Sequence, residues 1–276
     1  MKICVAVGSR ADAGLLEMPI RAMQEEFRVE VLNVREPTLP QAFKVAADYI
    51  EHANPDLLFV LGDRFEVLGA VLAAHLVRLP IAHLCGGDVT QGSYDDAMRD
   101  CISRMATFHL VTSQSAMTRL TGMGLTNIHL VGNPAIDFII RGDWKKEPRY
   151  PFPYEVVSYQ AETIDDVVEM EKVFEAITCY PVFIMPNPDR GNERIRKAIQ
   201  EYTQPHAVFE YLDHGEFLNL LYHCQCFIGN SSSMIYEAPE LGIKTKMIGK
   251  RQRGRVIPWG DGKASERIVK VLKYAC

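Results

Sequence analysis

The sequence predicts an α/β fold built on parallel β-sheets. Short apolar segments alternate with stretches of helical period along most of the chain, and this rhythm is typical of right-handed βαβ crossovers. Several apolar segments are followed at once by glycine and a charged residue, as in Gly62-Asp63-Arg64. Because the carboxyl ends of parallel strands share one edge of a sheet, these polar residues are expected to mark a ligand-binding edge.

The length of 276 residues is sufficient for two such domains, each with its own core. The predicted strands are residues 3–7, 29–33, 57–61, 81–83, 109–111 and 128–131, and then 156–159, 182–185, 207–211, 226–228 and 245–248. A charged, proline-rich stretch separates the two series. We therefore expect a Rossmann-like domain over residues 1–140, a second over 150–262, and a C-terminal helix over 263–276 that packs back on the first domain. The two sheets would face a cleft that the substrate bridges.

Composition limits the classes of function. The N-terminal apolar run is too short for a signal peptide, and no segment approaches the ~20 apolar residues of a membrane span. The seven cysteines show no paired framework, which is typical of a reducing cytoplasm. His223, Cys224 and Cys226 resemble half of a metal site without a second half, so neither a metal nor a cofactor is expected. The formal net charge of −5 provides no global attraction to nucleic acid.

A glycine- and serine-rich turn in the second half is the strongest local signal. The segment Gly229-Asn230-Ser231-Ser232-Ser233 follows a buried apolar strand and precedes a predicted helix, so its N–H groups and hydroxyls suit a diphosphate. Glu237 lies about one turn further on, where a carboxylate can accept both hydroxyls of a ribose. The alternative, an ordinary turn with a serine cap, explains one serine but not three followed by Glu237 and an arginine-rich loop. The pattern predicts a nucleotide-sugar pocket.

Carboxylates in the first half predict acid–base chemistry. Asp63, Asp88 and Asp95 follow successive strands or open the next helix, so they should converge at one sheet edge. Like charges brought together there should raise at least one pKa, as acid–base catalysis at neutral pH requires. For Asp95 and Asp96 alone, a role as helix-start carboxylates favoured by the helix dipole is an equal alternative.

These motifs resemble those of the hydrolysing UDP-N-acetylglucosamine 2-epimerases, the family that feeds sialic acid synthesis, and more broadly the glycosyltransferase-B fold. The matching strings are GSRADAG (8–14), LGDRFE (61–66), HLCGGDVTQGSYDDAMR (83–99), VGNPAID (131–137), PNPDRGNERI (186–195) and GNSSSMIYEAPELG with IGKRQRGR (229–255). The resemblance implies proton removal at C2 of the sugar coupled to loss of UDP, followed by hydration. It places the catalytic carboxylates on Asp63, Asp88 and Asp95. The implied UDP contacts are Arg10, Arg64, Ser231, Ser232, Ser233, Glu237, Arg251 and Arg255.

The chain departs from the family pattern mainly at residues that handle protons. Cys85 and Asp100 stand where the family has histidines, and Gln160, which cannot titrate, replaces a catalytic histidine of the second domain. Asp88 replaces a catalytic glutamate, and Ala13 replaces a tyrosine. The residues implied to hold UDP are thus retained while several proton-handling residues are not.

A local excess of positive charge leaves a second function open. Lys244, Lys246 and Lys250 join Arg251, Arg253 and Arg255, so six cations fall within twelve residues. Lysines on a sheet edge need no ligand to explain them, but such a patch would also suit a nucleic-acid backbone. The alternatives are therefore a UDP-sugar glycosyltransferase, conceivably a viral one that acts on a modified DNA base in the host cytoplasm, and a UDP-sugar-binding protein without turnover. The sequence leaves homo-oligomerisation open.

Overall fold

The structure contains two compact units, each built around one parallel sheet. The computed structural model describes the chain apart from residues 91–93, 163, 166, 189–190, 253, 255, 257 and 275–276, and it describes residues 10 and 11 without their side chains. The first unit comprises residues 1–89, 95–140 and 258–276, and the second comprises residues 90–94 and 141–257. The chain thus returns to the first unit near residue 258.

Six parallel strands form the sheet of the first unit. They are β1 (Lys2–Val7), β2 (Arg28–Asn33), β3 (Leu57–Leu61), β4 (Ile81–Leu84), β5 (Phe108–Val111) and β6 (Ile128–Leu130). Their order is β2-β1-β3-β4-β5-β6, and every adjacent pair is parallel. The strand order reverses between β1 and β3, so the crevice at the carboxyl ends of these two strands is where this topology places ligands.

Five parallel strands form the sheet of the second unit. They are β7 (Tyr154–Ser158), β8 (Tyr180–Ile184), β9 (Ala207–Phe209), β10 (Cys226–Gly229) and β11 (Thr245–Met247). Their order is β11-β10-β7-β8-β9, again with parallel pairing throughout. The order reverses between β7 and β10, which end at Ser158 and Gly229. The predicted fold class, two parallel-sheet α/β domains, is confirmed.

Helices cover the sheets on both faces. In the described residues they are α1 (Arg10–Leu15), α2 (Glu17–Gln24), α3 (Leu39–Ala53), α4 (Phe65–Leu76), α5 (Asp95–Met105), α6 (Gln114–Gly122), α7 (Pro134–Arg141), α8 (Met170–Ala176), α9 (Asn192–Gln200), α10 (His214–Tyr222), α11 (Ser233–Tyr236), α12 (Ala238–Leu241) and α13 (Ala264–Lys273). Among these, no helix has the length and apolar character needed to cross a membrane.

Burial on both faces explains why the strands read as nearly continuous apolar runs. Along β1, Ile3 and Val5 pack into one core with Leu16 and with Ile268 of α13. Cys4, which points to the opposite face of the same strand, joins a second core with residues of α3 and α4. The two faces of β1 therefore pack against two different helix layers, and α13 belongs to one of them.

A buried carboxylate holds α13 in place. Asp137 of α7 is 1% exposed, and its two oxygens accept hydrogen bonds from the backbone N–H of Ala264 at 3.0 Å and of Ser265 at 2.6 Å. Lys263, at the N-cap position of α13, makes no side-chain cap bond. Asp137 therefore acts as the cap from a distant part of the sequence, satisfying two of the free N–H groups at the helix start.

We expect Asp137→Ala to lower the free energy of unfolding by about 2–3 kcal/mol, because two buried N–H groups lose their acceptor. Urea denaturation followed by circular dichroism measures the change. Asp137→Asn, which keeps one acceptor oxygen, should lose less, and Asp143→Ala at an exposed position should change little. Equal stabilities for Asp137→Ala and Asp143→Ala would contradict the capping role.

Candidate functional site

The predicted acidic residues of the first unit lie at the carboxyl edge of its sheet. Asp63 follows β3 by two residues, Asp88 lies in the turn after β4, and Asp95 is the first residue of α5. Asp63 thus borders the point where the strand order reverses. Whether one of the three has a raised pKa stays a prediction.

A buried arginine joins this edge together. Arg99 of α5 is 1% exposed, and its guanidinium donates to a carboxylate oxygen of Asp63 and to one of Asp96. It also donates to the backbone carbonyl of Asp88 at 2.7 Å. A buried cation requires negative charge beside it, so Arg99 draws together three segments that are far apart in sequence.

Asp96 and Arg99 are members of this cluster that the sequence analysis does not propose as site residues. The family resemblance points to Asp95, and the structure shows that Asp96 forms an ion pair with Arg99. The spacing of three residues between Asp96 and Arg99 on one helix was the available signal. Asp95 lies half-exposed in the first turn of α5.

Two arginines and a threonine fix the turn that carries Asp88. The backbone carbonyl of Asp88 accepts a second hydrogen bond from Arg119 at 3.0 Å, and its carboxylate accepts one from the Thr112 hydroxyl at 3.2 Å. Arg119 also donates to Asp100 at 2.8 Å. Asp100, which stands where the family has a histidine, therefore forms an ion pair that helps to hold the Asp88 turn.

The backbone of this turn has no room for side chains. Gly87 has a φ of +80°, and a Cβ there would lie 2.6 Å from the carbonyl oxygen of Ala116. A Cβ on Gly86 would lie 2.9 Å from the Ser103 hydroxyl. Cys85 itself has a φ of +65°, a region that non-glycine residues enter at a cost and that concentrates at functional sites.

His83 is part of the framework of this edge. Its Nε2 lies 2.8 Å from the carbonyl of Gly62 and its Nδ1 lies 3.0 Å from the Ser103 hydroxyl. A carbonyl can only accept, so Nε2 carries the proton and Nδ1 accepts from Ser103. Burial lowers the pKa of His83 to about 4, and the ring is therefore neutral at pH 7.

Arg64, a predicted UDP contact, is paired with a buried glutamate. Its guanidinium donates to the two oxygens of Glu66 at 3.0 and 3.2 Å. At the end of β1, Ser9 caps α1 by accepting from the N–H of Asp12, and burial raises the pKa of the Asp12 carboxyl. The side chain of Arg10, another predicted contact, lies outside the described part of the structure.

In the second unit, Asn230 fixes the glycine- and serine-rich turn at the reversal of strand order. Asn230 is fully buried and exchanges two hydrogen bonds with the backbone of Gln160, at 2.7 and 2.8 Å. The Gln160 side chain in turn accepts from the N–H of Asn187 at 2.9 Å. Gln160, at the position of a catalytic histidine in the family, therefore has a structural role here.

Gly229 allows the close approach on which this arrangement depends. Its φ is +135°, and a Cβ at this position would lie 2.0 Å from the carbonyl oxygen of Ser158. No side chain fits there, so the two central strands can end side by side only with glycine at this position.

The helix after the turn is shorter than the sequence predicts. Ser231, Ser232 and Ser233 are half-exposed, but α11 contains only four residues, and Pro239 lies in the first turn of α12. The backbone N–H of Glu237 bonds to the carbonyl of Ser233 at 3.0 Å. Glu237 is thus one helical turn beyond the serines as predicted, but it lies at the junction of two short helices rather than inside one long helix.

Glu237 is buried beside a histidine that sequence reasoning missed. Its side chain is 5% exposed, and its Oε1 lies 3.5 Å from the Nε2 of His214, whose side chain is 9% exposed. The other carboxylate oxygen, Oε2, is buried and accepts no hydrogen bond from the described residues. The sequence offered no signal for this pair, since 22 residues separate the partners and the contact depends on how α10 packs.

The loop that follows β11 is attached to the same turn. Glu162, 3% exposed, accepts from the N–H of Lys250, and Arg251 donates to the carbonyl of Ala161 at 2.8 Å. Gln252 donates to the carbonyl of Asn230 at 2.8 Å. Gln252 thus attaches this loop to the serine turn, and the contact of Arg251 with UDP stays a prediction. The predicted contacts Arg253 and Arg255 lie outside the described residues.

The three lysines lie on or beside an edge strand. β11 ends the second sheet, and Lys244, Lys246 and Lys250 are exposed. Lys246 donates to the carbonyl of Ala176 at 2.7 Å and lies 3.9 Å from the buried carboxylate of Glu155. Their arrangement matches that of lysines that protect a sheet edge. Across the described ranges, no group of three or more histidine, cysteine or acidic side chains is arranged to hold a metal ion.

Comparison with known proteins identifies the family. The family model described as UDP-N-acetylglucosamine 2-epimerase matches residues 38–257, which is more than half of the chain. The chain belongs to the UDP-N-acetylglucosamine 2-epimerase family. The resemblance inferred from the motifs is therefore confirmed.

Two curated relatives show the degree of similarity. The GDP/UDP-N,N'-diacetylbacillosamine 2-epimerase (hydrolyzing) of Campylobacter jejuni is 29% identical over 236 residues, which cover 78% of this chain and 62% of that protein. The UDP-N-acetylglucosamine 2-epimerase of Neisseria meningitidis serogroup B is 32% identical over 227 residues, which cover 74% of this chain and 58% of that protein. The chain thus matches about three fifths of the length of these relatives.

A solved structure shows the fold of the family. The crystal structure of the Methanocaldococcus jannaschii UDP-GlcNAc 2-epimerase in complex with UDP-GlcNAc and UDP matches with a TM-score of 0.82 and 17% sequence identity, covering 99% of this chain and 100% of that chain. The similarity establishes that this chain has a fold of the glycosyltransferase-B class. The catalytic roles of Asp63, Asp88 and Asp95 stay predictions.

The buried histidines of the first unit predict a pH-dependent stability. Burial lowers the pKa of His83 and of His109 to about 4, whereas a histidine in an unfolded chain titrates near 6.5. Between these values the unfolded chain binds more protons than the native one, so the free energy of unfolding should fall as pH drops from about 6.5 to about 4. Each histidine can contribute up to about 3 kcal/mol to this loss.

Urea denaturation of the unmodified chain and of His83→Gln at pH 7 and pH 5 tests this prediction. Glutamine keeps an amide that can bond to Gly62 but cannot titrate, so the difference in stability between pH 7 and pH 5 should shrink. His52→Gln, at an exposed site, serves as the control. The same pH dependence in all three proteins would show that His83 does not contribute.

Proposed function

We propose that the chain processes a UDP-linked 2-acetamido sugar as a hydrolysing 2-epimerase, releasing UDP and an epimerised free sugar. The observation that carries this proposal is the family match together with the buried Glu237, which lies one turn beyond the serine turn with Oε2 accepting no bond from the described residues. Such a carboxylate suits the hydroxyls of a ribose. Relatives named for N-acetylglucosamine and for diacetylbacillosamine support the sugar class.

The proposed chemistry requires proton transfer at one carbon of the sugar. A base removes the proton from C2 while the bond from C1 to the UDP oxygen breaks, which leaves a C1–C2 double bond. Water then adds its hydroxyl to C1, and a proton returns to C2 from the opposite face. Elimination followed by hydration involves no net oxidation or reduction, and so we propose that no redox cofactor takes part.

Arg99 suggests how the carboxylates divide this work. Asp63 is paired with the buried guanidinium, which favours its charged form, so we assign Asp63 the role of proton acceptor or of a charge that stabilises the transition state. Asp88 and Asp95 are the candidates for returning the proton. Asp88 has its backbone held by Arg99 and Arg119, which positions it, although its side chain is one methylene shorter than the family's glutamate.

Because several histidines of the family are replaced here, the molecule that accepts the sugar, water or a nucleic acid, has to be considered separately. Gln160 holds Asn230 and Asn187, so the proton-handling role of the family's histidine has to be met elsewhere or is absent. A glycosyltransferase acting on nucleic acid would use the exposed lysines of the β11 edge. Because Lys246 is already bonded to Ala176, we favour water as the acceptor. The free cysteines of the described chain fit a reducing cytoplasm.

The unmodified chain is incubated with UDP-N-acetylglucosamine and with UDP-diacetylbacillosamine, each alone and together with DNA containing hydroxymethylated bases. We expect free UDP and an altered monosaccharide even when DNA is omitted. Asp63→Asn and Asp95→Asn should each reduce turnover by roughly two or more orders of magnitude while retaining UDP binding. Asp48→Asn, exposed on α3, is the control. UDP release only with DNA would indicate a transferase, and binding without release would indicate a sensor.

Glu237→Ala should weaken UDP binding by about 1–3 kcal/mol, because a buried charged acceptor is lost. Isothermal titration calorimetry with UDP provides the measurement. Glu240→Ala removes an exposed carboxylate three residues further on and should leave the affinity unchanged. Equal affinities of the two variants would remove Glu237 from the binding site.

A further inference from the structure

A histidine stands beside the carboxylate that is proposed to bind ribose. His214 is the first residue of α10, and its Nε2 lies 3.5 Å from Oε1 of Glu237. This separation is too long for a strong hydrogen bond and short enough for electrostatic attraction between the two side chains. Both side chains are at least nine-tenths buried, so little solvent separates or screens them.

The surrounding core fixes both partners. Leu220 and Leu221 of α10 pack in the same hydrophobic cluster as Met234 and Ala238, which flank Glu237 in the sequence. The start of α10 is held as well, because the Asp213 side chain accepts from the backbone N–H of Glu216 at 2.8 Å. The contact between His214 and Glu237 is therefore set by packing rather than by two flexible surface side chains.

The two oxygens of the Glu237 carboxylate have different surroundings. Oε1 faces His214, whereas the buried Oε2 accepts no hydrogen bond from the described residues. A carboxylate binds a pair of neighbouring hydroxyls well only when its plane is held, because rotation about the last side-chain bond otherwise costs entropy on binding. An N–H group beside one oxygen provides that restraint and compensates part of the buried charge.

We propose that His214 is a positioning residue that orients the Glu237 carboxylate for recognition of the ribose hydroxyls. The proposal rests on the proposed binding of UDP by this site. His214 acts through Glu237, so its contribution to UDP affinity requires both the Glu237 carboxylate and the ribose hydroxyls that donate hydrogen bonds to it. The imidazole thereby contributes to discrimination between a ribonucleotide and a nucleotide that lacks these hydroxyls.

Calorimetric titration with UDP and with 2',3'-dideoxy-UDP tests the proposal. His214→Phe keeps a planar ring without an N–H group, and it should weaken UDP binding about five- to tenfold while changing the affinity for the dideoxy analogue less than about twofold. His214→Gln, whose amide nitrogen can take the place of Nε2, should restore UDP affinity to within about threefold. In a Glu237→Ala background, His214→Phe should have no further effect.

Glu216→Ala, an exposed residue in the first turn of α10, is the control for disturbance of the helix start and should bind both nucleotides normally. Equal weakening of UDP binding and of dideoxy-analogue binding by His214→Phe, or additive losses of binding free energy with Glu237→Ala, would show a general structural role and overturn the proposal.

Unchanged UDP binding by His214→Phe would overturn the proposal as well, while leaving the proposed function intact. Failure of the unmodified chain to bind UDP would overturn both. If His214→Phe does not fold, a His214→Gln variant with lost UDP affinity and normal thermal stability would contradict the proposal.

Discussion

The ion pairs of Arg99 organise the first unit. A guanidinium buried to 1% exposure is stable only if its donors meet negative or carbonyl oxygens, and this requirement brings together Asp63 after β3, Asp96 in α5 and the backbone of Asp88 after β4. The glycines of the Asp88 turn allow its close approach to Ser103 and Ala116, and the neutral His83 bonds to the carbonyl of Gly62 after β3. The edge is therefore held together by one buried cation.

In the second unit, amide side chains join the segments at the sheet edge. Asn230 joins the ends of β7 and β10 through two hydrogen bonds with Gln160, and Gln252 ties the following basic loop to the same residue. Amides hold backbone groups without introducing charge, so the ends of β7 and β10 are joined here without an ion pair between Asn230 and Gln160. Gln160, at the position of a family histidine, thus contributes stability where the family is expected to have a titratable group.

Both candidate regions lie where the strand order of their sheet reverses. In the first unit this is between β1 and β3, and in the second between β7 and β10. Adjacent crossover helices pack on opposite faces at such a point, which leaves a crevice at the strand ends. The topology thereby explains why residues that follow these strands, such as Asp63 and the serine turn, carry ligand-binding signals.

The sequence by itself determined the fold class, the approximate bounds of the strands, and the positions of the serine turn and of Asp63 and Asp88. Apolar periodicity and glycine placement are local properties, so they can be recognised without knowing the packing. Only the tertiary structure decided that Arg99 is buried and pairs with Asp63 and Asp96, that Asp137 caps α13, and that His214 meets Glu237. These contacts depend on how helices are rotated and how distant segments pack, and the break between α11 and α12 arises there too. Such geometry is set by the whole core, which no local pattern encodes.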